Sequence, residues 1–128
     1  MRKMLFVAIV ISAAGLSPVY AQSAAPVKVG QTAAGPVLTD DNGLTLYTYT
    51  RDMPGHSNCN DACAVAWPPL MAAANDKSAG EWTVITRDDG KKQWAHKDSA
   101  LYRWSKDSKP GDTTGEGQGN GKWHIAKP

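Results

Sequence analysis

The sequence predicts a mainly β fold: a small antiparallel β domain built from two pseudo-repeats, with one short helical turn between Cys63 and Trp67. Three observations carry this expectation. Stretches rich in β-branched and aromatic residues are separated by Asp/Asn-Gly turns, the pattern of β-hairpins. The phrase Leu46-Tyr47-Thr48-Tyr49-Thr50-Arg51-Asp52 returns 55 positions later as Leu101-Tyr102-Arg103-Trp104-Ser105-Lys106-Asp107. The echo continues at an offset of 56, where Pro54-Gly55 matches Pro110-Gly111 and Trp67 matches Trp123. A fixed internal period marks one supersecondary unit used twice. The repeats run over about residues 36–71 and 91–128.

The first 21 residues read as a cleaved signal peptide. Arg2 and Lys3 form a positive start, residues 4–16 are almost wholly apolar, and Val19-Tyr20-Ala21 supplies a cleavage signal before Gln22. The run is too short and wrongly flanked for a membrane span. No cysteine follows it, so the expected product is soluble, periplasmic or secreted, without lipid attachment or stable membrane insertion. Removing 21 of 128 residues leaves 107, enough for one small domain. Losing Arg2 and Lys3 from the 14 basic residues leaves 12 against 12 acidic ones. A mature net charge of zero lacks the basic excess needed to neutralise a phosphate backbone, which excludes nucleic acid as an expected partner.

Residues 22–35 are Ala-rich and read as a flexible segment, with a short edge strand at 27–29; the single β domain follows at 36–128. Residues 36–39 and 44–50 flank Asp40-Asp41-Asn42-Gly43 as a first hairpin. In its second arm, period two places Leu44, Leu46 and Thr48 on one face and Tyr47 and Tyr49 on the other. Large groups on both faces predict a central strand. Residues 58–67 form one or two helical turns, with Asn60 or Asp61 as N-cap, stopped by Pro68-Pro69. A polar connector precedes a second hairpin, residues 82–86 and 92–96 around Asp88-Asp89-Gly90. Residues 99–105 make a third strand of this meander, and residues 123–126 close the fold.

The repeated phrase has a mechanical meaning. Tyr47 with Tyr49, and Tyr102 with Trp104, share a face two residues apart on a strand, where aromatics pack well across pairs. Asp52 and Asp107 fall where each strand stops, and their carboxylates can accept backbone N–H groups of the next turn. Met53-Pro54-Gly55-His56 and Lys109-Pro110-Gly111-Asp112 then fit type II turns. A structural role for the aspartates is favoured over catalysis. Trp67, Trp82, Trp94, Trp104 and Trp123 are the expected core.

Cys59 and Cys63 are read first as a disulfide, as two cysteines in an oxidising compartment usually are; a Cys-x-x-x-Cys metal or redox pair is the alternative. Side chains four apart on one helix lie about 5–6 Å apart at Cβ, too far for a bridge needing roughly 3.5–4.5 Å. Cys59 should therefore precede the helix or sit in a distorted first turn.

At these residues the chain resembles a bacterial family of secreted or lipid-anchored repeat proteins described by a Tyr-x-(Phe/Trp/Tyr)-x-x-Asp motif. Tyr47, Tyr49 and Asp52 fit it, as do Tyr102, Trp104 and Asp107. The stretches from Cys59 to Pro69 and from Gly111 through Trp123-His124 are similar to the family's flanking segments. The resemblance covers about residues 36–128 and implies export and an internal repeat. It assigns no activity, since the family's function is unassigned, and the missing lipid-attachment cysteine departs from its anchored members.

The loops between Pro-Gly and Trp have equal span and different chemistry. The first contains Cys59 and Cys63; the second is glycine-rich. Asp112, Glu116 and Asn120 are hard donors that calcium would accept, although their spacing matches no standard calcium loop. His56, His96 and His124, with Met53 and Met71, offer soft ligands for copper or zinc, but no His-x-His or His-x-x-x-His spacing assembles them. An Ω-like loop and isolated histidines beside aromatics are the favoured readings, and no cofactor is expected. Phosphate-loop, nucleophile-elbow and zinc-protease signatures are missing. The expected function is an exported, non-catalytic envelope module that binds a protein or glycan or has a structural role. A periplasmic metal or redox-accessory protein using Cys59/Cys63 or the His/Met residues is the alternative.

Overall fold

Alternating large apolar residues let one strand serve two cores at once, and the domain is built on that property. The computed structural model describes residues 25–128; the expected signal segment and the first residues after it lie outside this range. The strands are β1 (Lys28–Thr32), β2 (Gly35–Thr39), β3 (Tyr47–Tyr49), β4 (Met71–Ala72), β5 (Trp82–Thr86), β6 (Lys92–His96), β7 (Ser99–Ala100) and β8 (Trp123–Ile125). All named pairings are antiparallel: β1 with β2, β3 with β8, and β6 with β4, β5 and β7. The fold is mainly β, in small antiparallel sheets.

Both expected hairpins form. In the first, Asp40 N–H donates to the Leu44 carbonyl and Leu46 N–H to that of Leu38. The Asp40 carboxylate accepts from Asn42 and Leu44 N–H, which explains an acid at the start of this turn. The second joins β5 to β6 over the expected residues. Both Pro-Gly turns close as expected, His56 N–H on the Met53 carbonyl and Asp112 N–H on that of Lys109. Gly55 and Gly111 have φ of 71° and 92°, the conformation required at the third turn position.

Three expectations need correction. The segment read as flexible, with an edge strand at 27–29, holds a longer strand, β1, which pairs over its whole length with β2. The third strand of the meander is shorter, β7 being followed by the single bridges of Tyr102 to Tyr47 and Pro69. The helix α1 (Ala62–Ala66) follows Asp61, whose side chain makes no cap bond, and Asn60 donates instead to Asp88. Asp61 has φ of 55° and ψ of −123°, a non-helical conformation that separates Cys59 from α1. A second short turn, α2 (Gln118–Gly121), is left-handed at Gly119 and Asn120.

The repeats are related by an approximate twofold and exchange their ends. Leu38 N–H donates to Ala126, Ala126 to Leu46 and Leu46 to Leu38, at 2.8–2.9 Å. In the other half Trp94 donates to Leu70, Leu70 to Leu101 and Leu101 to Trp94, at 2.8–3.0 Å. Leu70 ends the first repeat yet completes the second, and Ala126 does the reverse. Tyr47 and Tyr102 meet at the axis and exchange both backbone hydrogen bonds, 2.8 and 3.0 Å. On one side of this central sheet lie Tyr47, Trp67, Tyr102, Trp123, Val37 and Ile125; on the other lie Leu38, Leu46, Leu70, Trp94, Leu101 and Ala126. Trp67, Trp94 and Trp123 are buried, whereas Trp82 and Trp104 pack on the core while half-buried.

Candidate functional site

Strand periodicity puts both motif aromatics of each repeat on one face, where the first meets its own repeat's tryptophan edge-on and the second stacks on the opposite repeat's tryptophan. Tyr49 stacks on Trp123 at 4.2 Å, Trp123 on Trp67 at 3.8 Å, and Trp67 on Trp104 at 4.0 Å between ring centroids. Tyr47 meets Trp67 edge-on at 5.4 Å and Tyr102 meets Trp123 at 5.0 Å. Lys106 caps the Trp104 end, 5.8 Å from the ring centre.

The motif aspartates are the second crossing. The Tyr47 hydroxyl donates to Asp107 Oδ2 at 2.5 Å, and the Tyr102 hydroxyl to Asp52 Oδ2 at 2.7 Å. Each tyrosine thus bonds the aspartate of the other repeat. The remaining oxygens do what the sequence suggested, with donors further along. Asp52 Oδ1 accepts Asn58 N–H, and Asp107 Oδ1 accepts the N–H and hydroxyl of Thr114. Burial, together with the Asp107 bond for Tyr47 and the Asp52 bond for Tyr102, pushes both phenols above their ordinary range. Burial also raises the Asp52 carboxyl, against the lowering pull of Asn58 N–H, Tyr102 and Arg87.

The two loops diverge where the sequence diverges. Cys59 and Cys63 form a disulfide, with Cys59 wholly buried before α1. Gly115 holds the place of Cys59 in the second loop, and its N–H donates to the Tyr47 hydroxyl at 3.2 Å. A Cβ there would sit 2.7 Å from the Tyr47 ring and 2.9 Å from Trp67, so this site demands glycine for close approach. Arg87, invisible as a site residue in the sequence, is 5% exposed and ties the first loop to the second hairpin. It donates to the Ser57 hydroxyl, the Gln93 side chain and the Cys59 carbonyl at 3.0, 2.7 and 2.6 Å. An unmatched basic residue at a strand end was the sole available signal.

The metal ligands considered from the sequence are not assembled into one centre, and among the described residues no three His, Cys, Asp or Glu side chains converge to hold an ion. Local bonds are the reason. Asp112 accepts from Ser108 and Lys109 N–H, which lower its carboxyl. Desolvation is the largest single influence on Glu116 and raises its carboxyl, but His124 at 3.1 Å and Ile125 N–H at 2.6 Å together outweigh it, and the net shift is downward. Asn120 is exposed in the left-handed turn of α2. His56 faces Asp88 at 3.6 Å and His96 faces Glu81 at 3.4 Å, so each histidine stands beside a different acid.

A twofold-related β domain whose halves are locked by crossed aromatic and Tyr–Asp contacts defines an internal-repeat protein, not two tandem domains. The chain belongs to the family described as a secreted repeat of unknown function, which matches residues 28–71 and 83–127. The two matches coincide with the two halves of the fold. No curated protein and no solved structure matches the chain. Among the described residues no helix is long and apolar enough to cross a membrane.

Proposed function

We propose that this secreted repeat is a non-catalytic module of the cell envelope that binds an envelope component, a protein or a glycan. The observation that carries the reading is the use made of the motif. Tyr47, Tyr49, Asp52, Tyr102, Trp104 and Asp107 are all engaged with the opposite repeat. The repeated chemistry therefore maintains a rigid frame, and recognition falls to what differs on its surface. A balanced mature charge suits a partner other than nucleic acid.

Immobilised mature protein should retain material saturably from envelope fractions: wall glycan, envelope proteins or vesicles of envelope lipid. Absence of saturable retention from all three would refute the proposal. The metal or redox-accessory reading draws no support from the geometry, with the cysteines joined and the histidines dispersed. Stoichiometric copper, zinc or calcium in protein purified without chelator would reverse that order.

A further inference from the structure

The approximate twofold supplies an internal comparison. Tyr49 and Trp104 hold equivalent places at the two ends of the ring column, each in a repeat with its own motif aspartate and Pro-Gly turn. At the Trp104 end Asp107 is buried, and Pro110 lies so close to Gly43 that a Cβ there would be 3.1 Å from it. At the Tyr49 end Asp52 is only half-buried, and a cleft of about 120 Å³ remains between Tyr49, Asp52, Pro54 and the turn formed by Lys97, Asp98 and Ser99. The same motif is closed at one end and open at the other.

We infer that the open cleft beside Tyr49 is a subsite for one neutral pyranose ring of a glycan. The inference rests on the envelope-binding reading and deepens it. Tyr49 is half-buried and held by Trp123 within 13° of parallel, so its ring orientation is fixed before a ligand arrives. A fixed aromatic plane with a polar margin suits the C–H face of a sugar, which is apolar in the middle and hydroxylated at its rim.

The polar lining selects further. Each Asp52 oxygen holds one internal donor, leaving lone pairs for hydroxyl groups. Lys97, Asp98 and Ser99 line the same cleft, the Lys97 ammonium lying 3.9 Å from Glu81. Two carboxylates disfavour an anion and the lysine disfavours a cation, whereas a polyol can donate to the first and accept from the second. Lys97 and Asp98 have φ of 49° and 66°, where Asn-Gly would be the unstrained choice. Asp98 is held there by its carbonyl, which accepts Gly55 N–H at 2.9 Å. The turn thus keeps two charged side chains at the rim.

The test uses the mature protein with its disulfide intact and three neutral probes: chitotetraose, cellotetraose and maltotetraose. At least one should bind saturably, with NMR shifts centred on Tyr49, Asp52 and Ser99. The double variant Lys97→Asn/Asp98→Gly keeps the turn and removes both charges. It should weaken binding at least tenfold, with an unchanged or higher urea midpoint. Tyr49→Ala should weaken it similarly. Binding that survives both variants would overturn the site. Retention of envelope proteins without binding of any tetrasaccharide would overturn the glycan while leaving envelope binding standing. No retention of any envelope fraction would overturn both.

Discussion

Replacing Tyr47 by Phe removes one oxygen and leaves the aromatic packing in place. That oxygen donates to Asp107 and accepts from Gly115 N–H, in a region where Tyr47 is 0% and Asp107 8% exposed. A hydrogen bond to a charged acceptor contributes about 1.5–3 kcal/mol, and a buried amide left without a partner costs about 1–3 kcal/mol. The Gly115 bond is long at 3.2 Å, so its share belongs at the low end. The combined loss should be about 3 kcal/mol, or a fall in Tm on the order of 15 °C for a domain of this size. Tyr102→Phe is the matched control: its hydroxyl bonds Asp52, which is half-buried so that water can replace the lost donor, and Ser57, whose hydroxyl keeps its bond from Arg87. It should cost about 1–2 kcal/mol. Urea unfolding of the mature, disulfide-intact protein by far-ultraviolet circular dichroism gives both values, provided m is unchanged. A Tyr47→Phe loss below about 0.5 kcal/mol, within ordinary surface scatter, would refute the claim that the crossed Tyr–Asp bonds lock the repeats.

Other consequences follow from the same contacts. Both buried phenols have folded pKa values above the unfolded value of about 10. The folded state therefore holds more protons at high pH, and their contribution is fully present below about pH 10 and lost as pH rises beyond it. Phenolate absorbance at alkaline pH should show two tyrosines that ionise only together with unfolding; their titration in a still-folded protein would contradict this. Gly115→Ala drives a methyl group into Tyr47 and Trp67, and should cost about 1–3 kcal/mol by chemical denaturation. Because each half takes its closing segment and tryptophan from the other, peptides covering residues 28–71 and 83–127 should be unfolded alone and gain β structure on mixing. A cooperative transition in either peptide alone would show that the exchange of ends is dispensable.

Much of the local structure is legible in the chain. Asp40 through Gly43, Asp88-Asp89-Gly90 and the two Pro-Gly pairs encode their turns through backbone conformations that few other residues adopt. Period two in β3 and β6 places Leu46 and Trp94 on one core and Tyr47 and Ala95 on the other. The position of Cys59 outside α1 follows from the reach of a disulfide. The N-cap expected at Asn60 or Asp61 does not form because Asn60 donates to Asp88 and Asp61 takes a positive φ with no side-chain cap bond, a tertiary preference overriding a local one. Arg87 could not be ranked above other basic residues, since its burial depends on partners from residue 57 to residue 93.

By itself the sequence determined that there are two like units, where each strand stops and which side chains share a face. These are short-range properties, governed by backbone sterics and strand pleat. Only the tertiary structure decided that each unit is completed by the other. Tyr47 bonds Asp107 across 60 positions, and Trp67 stacks on Trp123 across the axis. An internal repeat is equally compatible with partners inside one unit or between two, because the identical motif offers the same donors and acceptors in both. Packing settles the choice: exchanging ends buries both tryptophans and both tyrosines in one continuous aromatic cluster.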